Sequence, residues 1–178
     1  LGILILYWGM SAVGQAPFTW AGLTAAAAGM SPYLLSIAFF FILIGFGAKV
    51  GLVPLHTWLP EAHAKAPSAV SAVLSGAILN IGLYGILRIA GILHQSEIAG
   101  QMTFLFIIFG MVTMSVAAFS MLKQTGMKQL IAFSSVENMG FMLLAIGIGT
   151  PVALFWMVYH MIGHSLVKTG LFFSAGII

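Results

Sequence analysis

Long apolar segments follow one another along almost the whole of this 178-residue chain. Hydrophobic residues make up 61% of it, charged residues only 5%, and the mean hydropathy is +1.14. Soluble proteins average about 25% charged residues, so this chain has too little polar surface to face water. A membrane-spanning helix takes about 20 mostly apolar residues, which leaves room here for about five or six. These features predict an all-α, polytopic bundle of transmembrane helices.

Six hydrophobic segments can be recognised, of which the first is only part of a span. They cover residues 1–13, 34–63, 69–93, 102–122, 128–149 and 152–178. The uncharged residues 14–32 contain two prolines and several glycines, which suits a loop. Because no soluble domain intervenes, residues 1–178 are predicted to form a single transmembrane domain. The chain starts and stops inside apolar runs, so we expect it to be a fragment of a longer protein.

The charges near the segment ends predict how the chain lies in the membrane. Three lysines fall at ends that share one side of the membrane: Lys65, Lys123 and Lys128. Arg88 and Glu97 fall on the other side. By the positive-inside rule, the connections 60–68 and 122–127 face the cytoplasm. We expect a multi-pass protein of the inner (plasma) membrane.

The chain contains no cysteine. Disulfides, thiolate zinc sites and cysteine-ligated iron–sulfur clusters are therefore excluded from it. If the parent complex carries out redox chemistry, its clusters must lie on another subunit, and we expect no cofactor in this chain. The net charge of +3 arises from only nine charged residues and gives no indication of nucleic-acid binding.

Lys49 lies midway along the segment 34–63, in the run GFGAKVGLVP. A charge at the centre of a spanning helix costs roughly 2.5–3.5 kcal/mol on insertion scales, so it is usually paired or faces a water-filled cavity. Pro54 lacks an N–H and its ring clashes with the carbonyl of Val50, which predicts a helix break about one turn after the lysine. The carbonyls at such a break attract a cation, and irregular backbone at this depth lies within protein or beside a cavity. The alternative is a lysine whose side chain extends to the membrane surface.

His160, His164 and Lys168 are spaced i, i+4 and i+8 in the last segment. This spacing places them on one helix face, over roughly 12 Å of its axis. Imidazole can both donate and accept a proton near neutral pH, and a lysine removed from water gives up its proton more readily. The pattern therefore predicts a proton relay. Two alternatives stay open, namely a metal held by the histidine pair and core histidines bonded to backbone carbonyls.

Glu137 and Lys128 are the charged residues of the segment 128–149. Glu137 is central in it, where an unpaired carboxylate tends to take up a proton. It is therefore either a proton carrier or the partner of a buried lysine, and a fixed ion pair between two helices is the structural alternative. Lys128 begins the segment, where the helix dipole disfavours a cation. Lys128 is either a functional residue or a lysine that extends to the membrane surface and sets the orientation of the protein.

Asn80 is central in the segment 69–93. It shares a face with the small residues Ser68, Ala72 and Gly76, a pattern that lets another helix approach closely. The side chain of Asn80 can hydrogen-bond across such a contact or hold a water, but it cannot carry a proton charge. We interpret it as a packing residue.

Four segments of the sequence, taken in order, resemble the antiporter-like proton-translocating membrane subunits. They are KVGLVPLHTWLPEAHAKAPS from Lys49, SGAILNIGLYGILR from Ser75, MKQLIAFSSV from Met127 and HMIGHSLVK from His160. The family is shared by respiratory complex I (NADH:quinone oxidoreductase), Mrp-type sodium/proton antiporters and membrane-bound hydrogenases. The resemblance covers most of the chain from about residue 34 onward.

The resemblance implies roles for the residues that match the family pattern. Lys49 matches the lysine of the family's broken helix, and Lys128, His160, His164 and Lys168 match its hydrated central axis. An upstream glutamate-bearing helix, a second broken helix downstream and the other half of an inverted repeat would lie outside this chain. The implied partners are other membrane subunits, a peripheral redox arm and the lipid bilayer. The implied cargo is protons, with sodium as the alternative.

Two residues depart from the commonest family pattern. Many members have a lysine where this chain has Asn80, so one relay position is missing. Glu137, in SVENMG, is unusual for complex I and resembles the subunits of formate-hydrogenlyase-type hydrogenases. We therefore expect the proton-pumping subunit of a membrane-bound hydrogenase, without a catalytic site of its own. The alternatives are a complex I subunit, an Mrp-type sodium/proton antiporter subunit and a subunit that only anchors its neighbours.

Overall fold

The computed structural model describes residues 1–14 and 17–177, and every regular element within these ranges is a helix. A π-helical turn, Leu74–Ile78, joins two of the helices into one continuous element. The helices are α1 (Gly2–Val13), α2 (Trp20–Ala27), α3 (Pro32–Val50), α4 (Trp58–Lys65), α5 (Ser68–Val73), α6 (Leu79–Leu93), α7 (Ala99–Met121), α8 (Met127–Ile148) and α9 (Pro151–Ser174).

Four helical stretches are long and apolar enough to cross a membrane. They are Pro32–Val50, Ser68–Leu93, Ala99–Met121 and Met127–Ile148. The 24 residues of α9 extend over about 36 Å and are long enough as well. It is also the helix that carries the histidine and lysine row. The chain is a multi-pass membrane protein.

The helix break predicted after Lys49 is present, and it begins at Gly51. Gly51 has a backbone φ of 81°, a left-handed conformation that glycine adopts without steric cost. The N–H groups of Gly51 and Leu52 both donate to the carbonyl of Gly47, at 2.9 and 2.8 Å. Gly51 therefore ends the helix before the chain reaches Pro54.

The connection between α3 and α4, residues 51–57, is held by hydrogen bonds from the neighbouring elements. The indole Nε1 of Trp58 donates to the carbonyl of Ala48 at 2.8 Å, which occupies an acceptor near the end of α3. The N–H of Val53 donates to Thr113 Oγ1 on α7 at 3.1 Å. Irregular backbone at membrane depth is stable only where protein satisfies it, and these contacts do so here.

The segment 14–32, for which the sequence suggested a loop, contains the short helix α2. Thr19 caps this helix, because its Oγ1 accepts a hydrogen bond from the N–H of Gly22 at 3.1 Å. A side chain at Gly22 would collide with the carbonyl of Pro17. Glycine is thus required at position 22 because the Pro17 carbonyl lies so close to it at the start of α2. It does not mark a flexible loop.

Helices α7 and α8 pack with their backbones almost in contact. A Cβ atom on Gly110 would lie 2.9 Å from the carbonyl oxygen of Gly140, and one on Gly140 would lie 2.9 Å from that of Gly110. Met139 and Leu143 beside this contact are fully buried. Because only glycine permits such an approach, this pair fixes the distance between the two helices.

Gly140→Ala is expected to push α7 and α8 apart and to destabilise the subunit by about 1–3 kcal/mol, the usual effect of overpacking. The clash is with backbone, which cannot turn aside as a side chain can. The matched control is Gly170→Ala on α9, where nothing lies within 4 Å of the added atom. The thermal midpoint of the purified full-length subunit in detergent measures both changes. Equal midpoints for the two variants would contradict the contact.

Candidate functional site

The three ionisable residues of α9 lie on one face, as their spacing predicts. His164 and Lys168 are buried, with 5% and 4% of their surface exposed, and His160 is half-buried. This face turns toward α8, whose polar side chains meet it. The site is therefore a polar seam between two membrane helices.

Lys168 is held by groups of α8. Its Nζ donates to the backbone carbonyl of Ile131 at 3.1 Å and to the hydroxyl of Ser134. The hydroxyl of Ser134 in turn lies 2.9 Å from the Ile131 carbonyl, to which it donates. The ammonium group is thus solvated by neutral dipoles, which stabilise a charge without cancelling it.

Glu137 lies on α8 one turn beyond Ser134, which binds Lys168, and its side chain is half-buried. Among the described residues no lysine, arginine or histidine forms an ion pair with it. The ion pair that they do contain joins Lys65 to Glu61 at 3.6 Å on an exposed surface. The structure therefore places a carboxylate beside the Lys168 site without locking the two charges together.

His160 is oriented by Asn138 of α8. Its Nε2 lies 2.6 Å from Asn138 Oδ1, and the Nδ2 of Asn138 donates to the Ser134 carbonyl at 2.6 Å. The second bond fixes which way the amide points, so the oxygen faces the histidine and Nε2 is the donor. The rings of Phe141 and His160 pack in a T-shaped arrangement with a centroid distance of 5.2 Å. Asn138 thus sets the tautomer of His160.

Two buried histidines, one in the row and one beside it, have no hydrogen-bond partner among the described residues. They are His164 of α9 and His63 of α4, and both ring nitrogens of each are unpaired. His63 is completely buried and stacks on Phe172, with ring centroids 4.4 Å apart and planes 12° apart. Phe172 follows Lys168 by one helical turn. The row on α9 therefore continues to His63.

An open groove of about 370 Å³ runs beside α9. Asn138, His160, His164 and Lys168 all line it, so the polar side chains of the seam share one concave space. Within the part of the chain that the structure describes, no three His, Cys, Asp or Glu side chains are grouped closely enough to hold a metal ion. The histidine pair thus has no third ligand of that kind in the described residues.

The remaining two predicted residues lie apart from this seam. Lys49 is exposed, and its aliphatic carbons run past Gly82 of α6, where a Cβ would lie 3.5 Å from Lys49 Cγ. Lys128 donates from Nζ to the carbonyl of Ala66 at 3.2 Å, at the end of α4. A cation is favourable at that helix end, which offsets its poor position at the start of α8.

The small-residue face that the sequence predicted around Asn80 packs against α9. The Nδ2 of Asn80 donates to Ser165 Oγ at 2.6 Å and to the carbonyl of Gly76 at 3.0 Å. A Cβ on Gly76 would lie 3.2 Å from the carbonyl oxygen of Ser165. The prediction of a hydrogen bond across a close helix contact is confirmed.

The π-helical turn also connects this element to α8. Ser75 lies within the turn, and its hydroxyl is 2.9 Å from the hydroxyl of Ser135, both side chains being fully buried. Such turns widen a helix locally and are frequent at functional sites. Here the widened stretch carries the residues that contact both α8 and α9.

The chain is similar in sequence to known membrane-protein subunits. Residues 1–178 match the family described as "NADH:quinone oxidoreductase/Mrp antiporter, TM". The chain is 45% identical, over 93% of its length, to the hydrogenase-4 component F homolog of Methylacidiphilum infernorum (isolate V4). It is 36% identical, over 85% of its length, to the NAD(P)H-quinone oxidoreductase chain 4-2 of Synechocystis sp. (strain ATCC 27184 / PCC 6803 / Kazusa). These matches cover 35% and 28% of the two relatives.

The fold is shared with a subunit of an archaeal respiratory complex. A chain of the membrane-bound sulfane sulfur reductase (MBS) aligns with 99% of this chain at a TM-score of 0.90 and 28% identity. The alignment covers 35% of that chain. The sequence thus corresponds to about a third of such subunits.

The contact between Asn80 and Ser165 can be measured with a double-mutant cycle. Asn80→Ala, Ser165→Ala and the double variant are expected to show a coupling energy of about 0.6 kcal/mol, the usual value between membrane helices. The control cycle pairs Asn80→Ala with Ser115→Ala, whose hydroxyl bonds only to its own helix, and its coupling should be zero. Equilibrium unfolding of the full-length subunit in mixed micelles gives both values. If both cycles gave the same coupling energy, the hydrogen bond between Asn80 and Ser165 would contribute nothing to the free energy of unfolding.

Proposed function

Because the chain belongs to the NADH:quinone oxidoreductase/Mrp antiporter family of transmembrane subunits, we propose that it is part of a proton-translocating subunit in a redox-driven membrane complex. The observation that carries the proposal is the row of His160, His164 and Lys168, which lines a groove between two membrane helices. Ionisable residues inside a membrane are expensive and commonly mark an ion pathway.

The chemistry of the row suits the transfer of protons. Each of its three side chains can bind and release a proton, and Asn138 keeps His160 in one tautomer. Transfer requires donor and acceptor within hydrogen-bond reach or bridged by water. His160 and Lys168 are two turns apart, roughly 12 Å along the axis, so water in the groove completes the path in the proposal.

Glu137 and Lys49 take separate parts in this proposal. Glu137 neighbours the Lys168 site without pairing with it, so its charge influences Lys168 through space, where the low dielectric strengthens the coupling. Lys49 lies at the end of α3, just before the helix break, and its side chain is exposed. In the proposal it transfers protons to parts of the subunit beyond this chain. Lys128 is assigned to the same pathway at the end of α4. Redox chemistry in a peripheral arm would change the charge of one buried site, and the coupling between the buried charges would then move protons along the pathway.

Within the family we favour a membrane-bound hydrogenase located in the plasma membrane. Identity to the hydrogenase-4 component F homolog is 45%, against 36–40% to NAD(P)H-quinone oxidoreductase chains, and the motif around Glu137 points the same way. The partners are then a peripheral redox arm and further membrane subunits, and the transported ion is the proton. A complex I subunit and an Mrp-type sodium/proton antiporter subunit are the alternatives.

Replacement of Lys168 tests the relay. Lys168→Met in the intact complex keeps a long, unbranched side chain but removes its charge. We expect the rate of proton uptake to fall about tenfold or more, because a positioned proton-transfer group commonly contributes roughly 10²–10⁴-fold. Lys65→Met is the matched control, since Lys65 is exposed and pairs only with Glu61. Proton uptake is followed in inverted vesicles with a pH-sensitive dye, and assembly is checked on native gels.

The outcomes of this experiment separate the relay from a purely anchoring subunit. Lys49→Met should also slow uptake if Lys49 joins the pathway. Undiminished pumping in both the Lys168 and the Lys49 variants would sink the relay assignment. If Asn80→Lys were silent as well, the subunit would only hold its neighbours together.

The branch within the family is tested by purification of the native complex from membranes. We expect nickel and iron to be present in stoichiometric amounts, because a hydrogenase arm carries them. Elemental analysis and the absorption spectrum give the result. Flavin without nickel would mean a complex I-type assembly, and a complex without redox metals or flavin would mean an antiporter.

A further inference from the structure

Arg88 on α6 is a charged residue that the proposed pathway does not use. Its guanidinium carbon lies 4.9 Å from the ring centroid of Trp20 on α2 and 5.9 Å from that of Tyr84. The Nε atom is buried and has no hydrogen-bond partner among the described residues. Two aromatic rings therefore hold the Arg88 guanidinium in place. Its Nε donor has no partner within the part of the chain described.

A groove of about 640 Å³ opens between α2 and α6 beside this arginine. Arg88 and Thr24 supply polar groups to it, whereas Trp20, Tyr84 and Gly91 supply apolar walls. Gly91 has open space around it, so the floor of the groove is unobstructed. The site combines one fixed cation, one hydroxyl and a long apolar surface.

The depth of Arg88 matches the headgroup region of a bilayer. It lies five residues before the end of α6 at Leu93, about 7.5 Å along the helix axis. Trp20 and Tyr84, whose rings lie against the Arg88 guanidinium, are the residue types that concentrate at the boundary between lipid and water. The cytoplasmic lysines lie at the opposite end of the bundle by the positive-inside rule, so this is the outer boundary.

A phosphate group is the anion that best fits the arginine. The planar guanidinium presents a fork of donors that matches phosphate oxygens in a bidentate manner. No carboxylate of the described residues forms an ion pair with Arg88, so the positive charge is available. An apolar groove that continues from the charge suits a ligand with both a phosphate and acyl chains.

We propose that the groove between α2 and α6 binds an anionic phospholipid of the outer leaflet, with its phosphate on Arg88 and an acyl chain along Trp20 and Gly91. A zwitterionic lipid carries its own cation beside the phosphate and leaves the charge of Arg88 uncompensated. The site therefore prefers a headgroup with net negative charge, such as that of phosphatidylglycerol.

The purified complex, reconstituted into phosphatidylcholine vesicles, provides the test. Trace amounts of photoactivatable phosphatidylglycerol or photoactivatable phosphatidylcholine are added, and mass spectrometry locates the cross-links within residues 17–24 and 84–92. We expect phosphatidylglycerol to label these segments about fivefold more than phosphatidylcholine, the ratio equivalent to roughly 1 kcal/mol per basic residue at an anionic membrane surface. Arg88→Gln should reduce the ratio to one, and Arg88→Lys should leave an intermediate ratio because it keeps the charge but loses the fork.

The control variant is Lys65→Gln, which removes a positive charge at the other end of the bundle and should leave the labelling ratio unchanged. Equal labelling by the two lipids in the unmodified complex would overturn the proposal. So would an absence of labelling, which would mean that protein covers the groove. Loss of labelling on addition of inorganic phosphate would also overturn it, because the site would then take the free anion. The readout is independent of proton pumping, so it stands or falls separately from the proposed function.

Discussion

A bilayer offers no hydrogen-bond partner to an exposed backbone, and the architecture of this chain depends on how it meets that constraint at the break after α3. Residues 51–57 leave the helix at membrane depth, and their polar groups find partners only because other elements lie against them. Trp58 folds back to the Ala48 carbonyl, and Thr113 of α7 accepts the N–H of Val53. The second contact requires α7 at one particular distance. The glycine contact with α8 fixes the place of α7, so the packing of two continuous helices supports an interruption in a third.

The same constraint explains why the polar row of α9 faces α8. Lys168 could not lie against lipid without a large energetic cost, and here it meets the Ile131 carbonyl and the Ser134 hydroxyl. Dipoles of this kind stabilise the ammonium without fixing it, whereas a direct ion pair would leave a buried carboxylate behind each time the lysine lost its proton. A lysine that must change its charge is therefore better served by hydroxyls and carbonyls. Glu137, close by but unpaired in the described residues, fits this arrangement.

Much of the fold followed from the sequence because helices in a membrane depend on local rules. Length and hydropathy indicate the helices, and the i, i+4 spacing places His160, His164 and Lys168 on one face, as the structure confirms. The stripe that ends at Asn80 was predictable for the same reason, since small residues at helical spacing mark a helix contact. Each of these inferences requires only the sequence within one helix.

The features that the sequence did not reveal depend on contacts between elements. Nothing local distinguishes Asn138 or Ser134 from other polar residues of α8, and only the approach of α9 gives them their roles. His63 stands between Glu61 and Lys65 in a short polar stretch and resembles a surface residue, yet the packing of α4 on α8 and the stacking of the imidazole on Phe172 of α9 bury it completely. A prediction from charge alone also assigns too many residues to the seam, because Lys49 and Lys128 lie apart from it.

The unpaired nitrogens of His63 and His164 connect stability to function. A buried polar group without a partner costs about 1–3 kcal/mol, and a fold selected for stability alone would replace such side chains with apolar ones of similar size. Both histidines instead adjoin the Lys168 site: His164 precedes Lys168 by one turn of α9, and His63 stacks on Phe172, one turn after it. The close packing of α7 on α8 supplies stability that offsets this cost. The polar seam is thus a costly feature held in place by a rigid apolar scaffold, an arrangement that fits the proposed proton pathway.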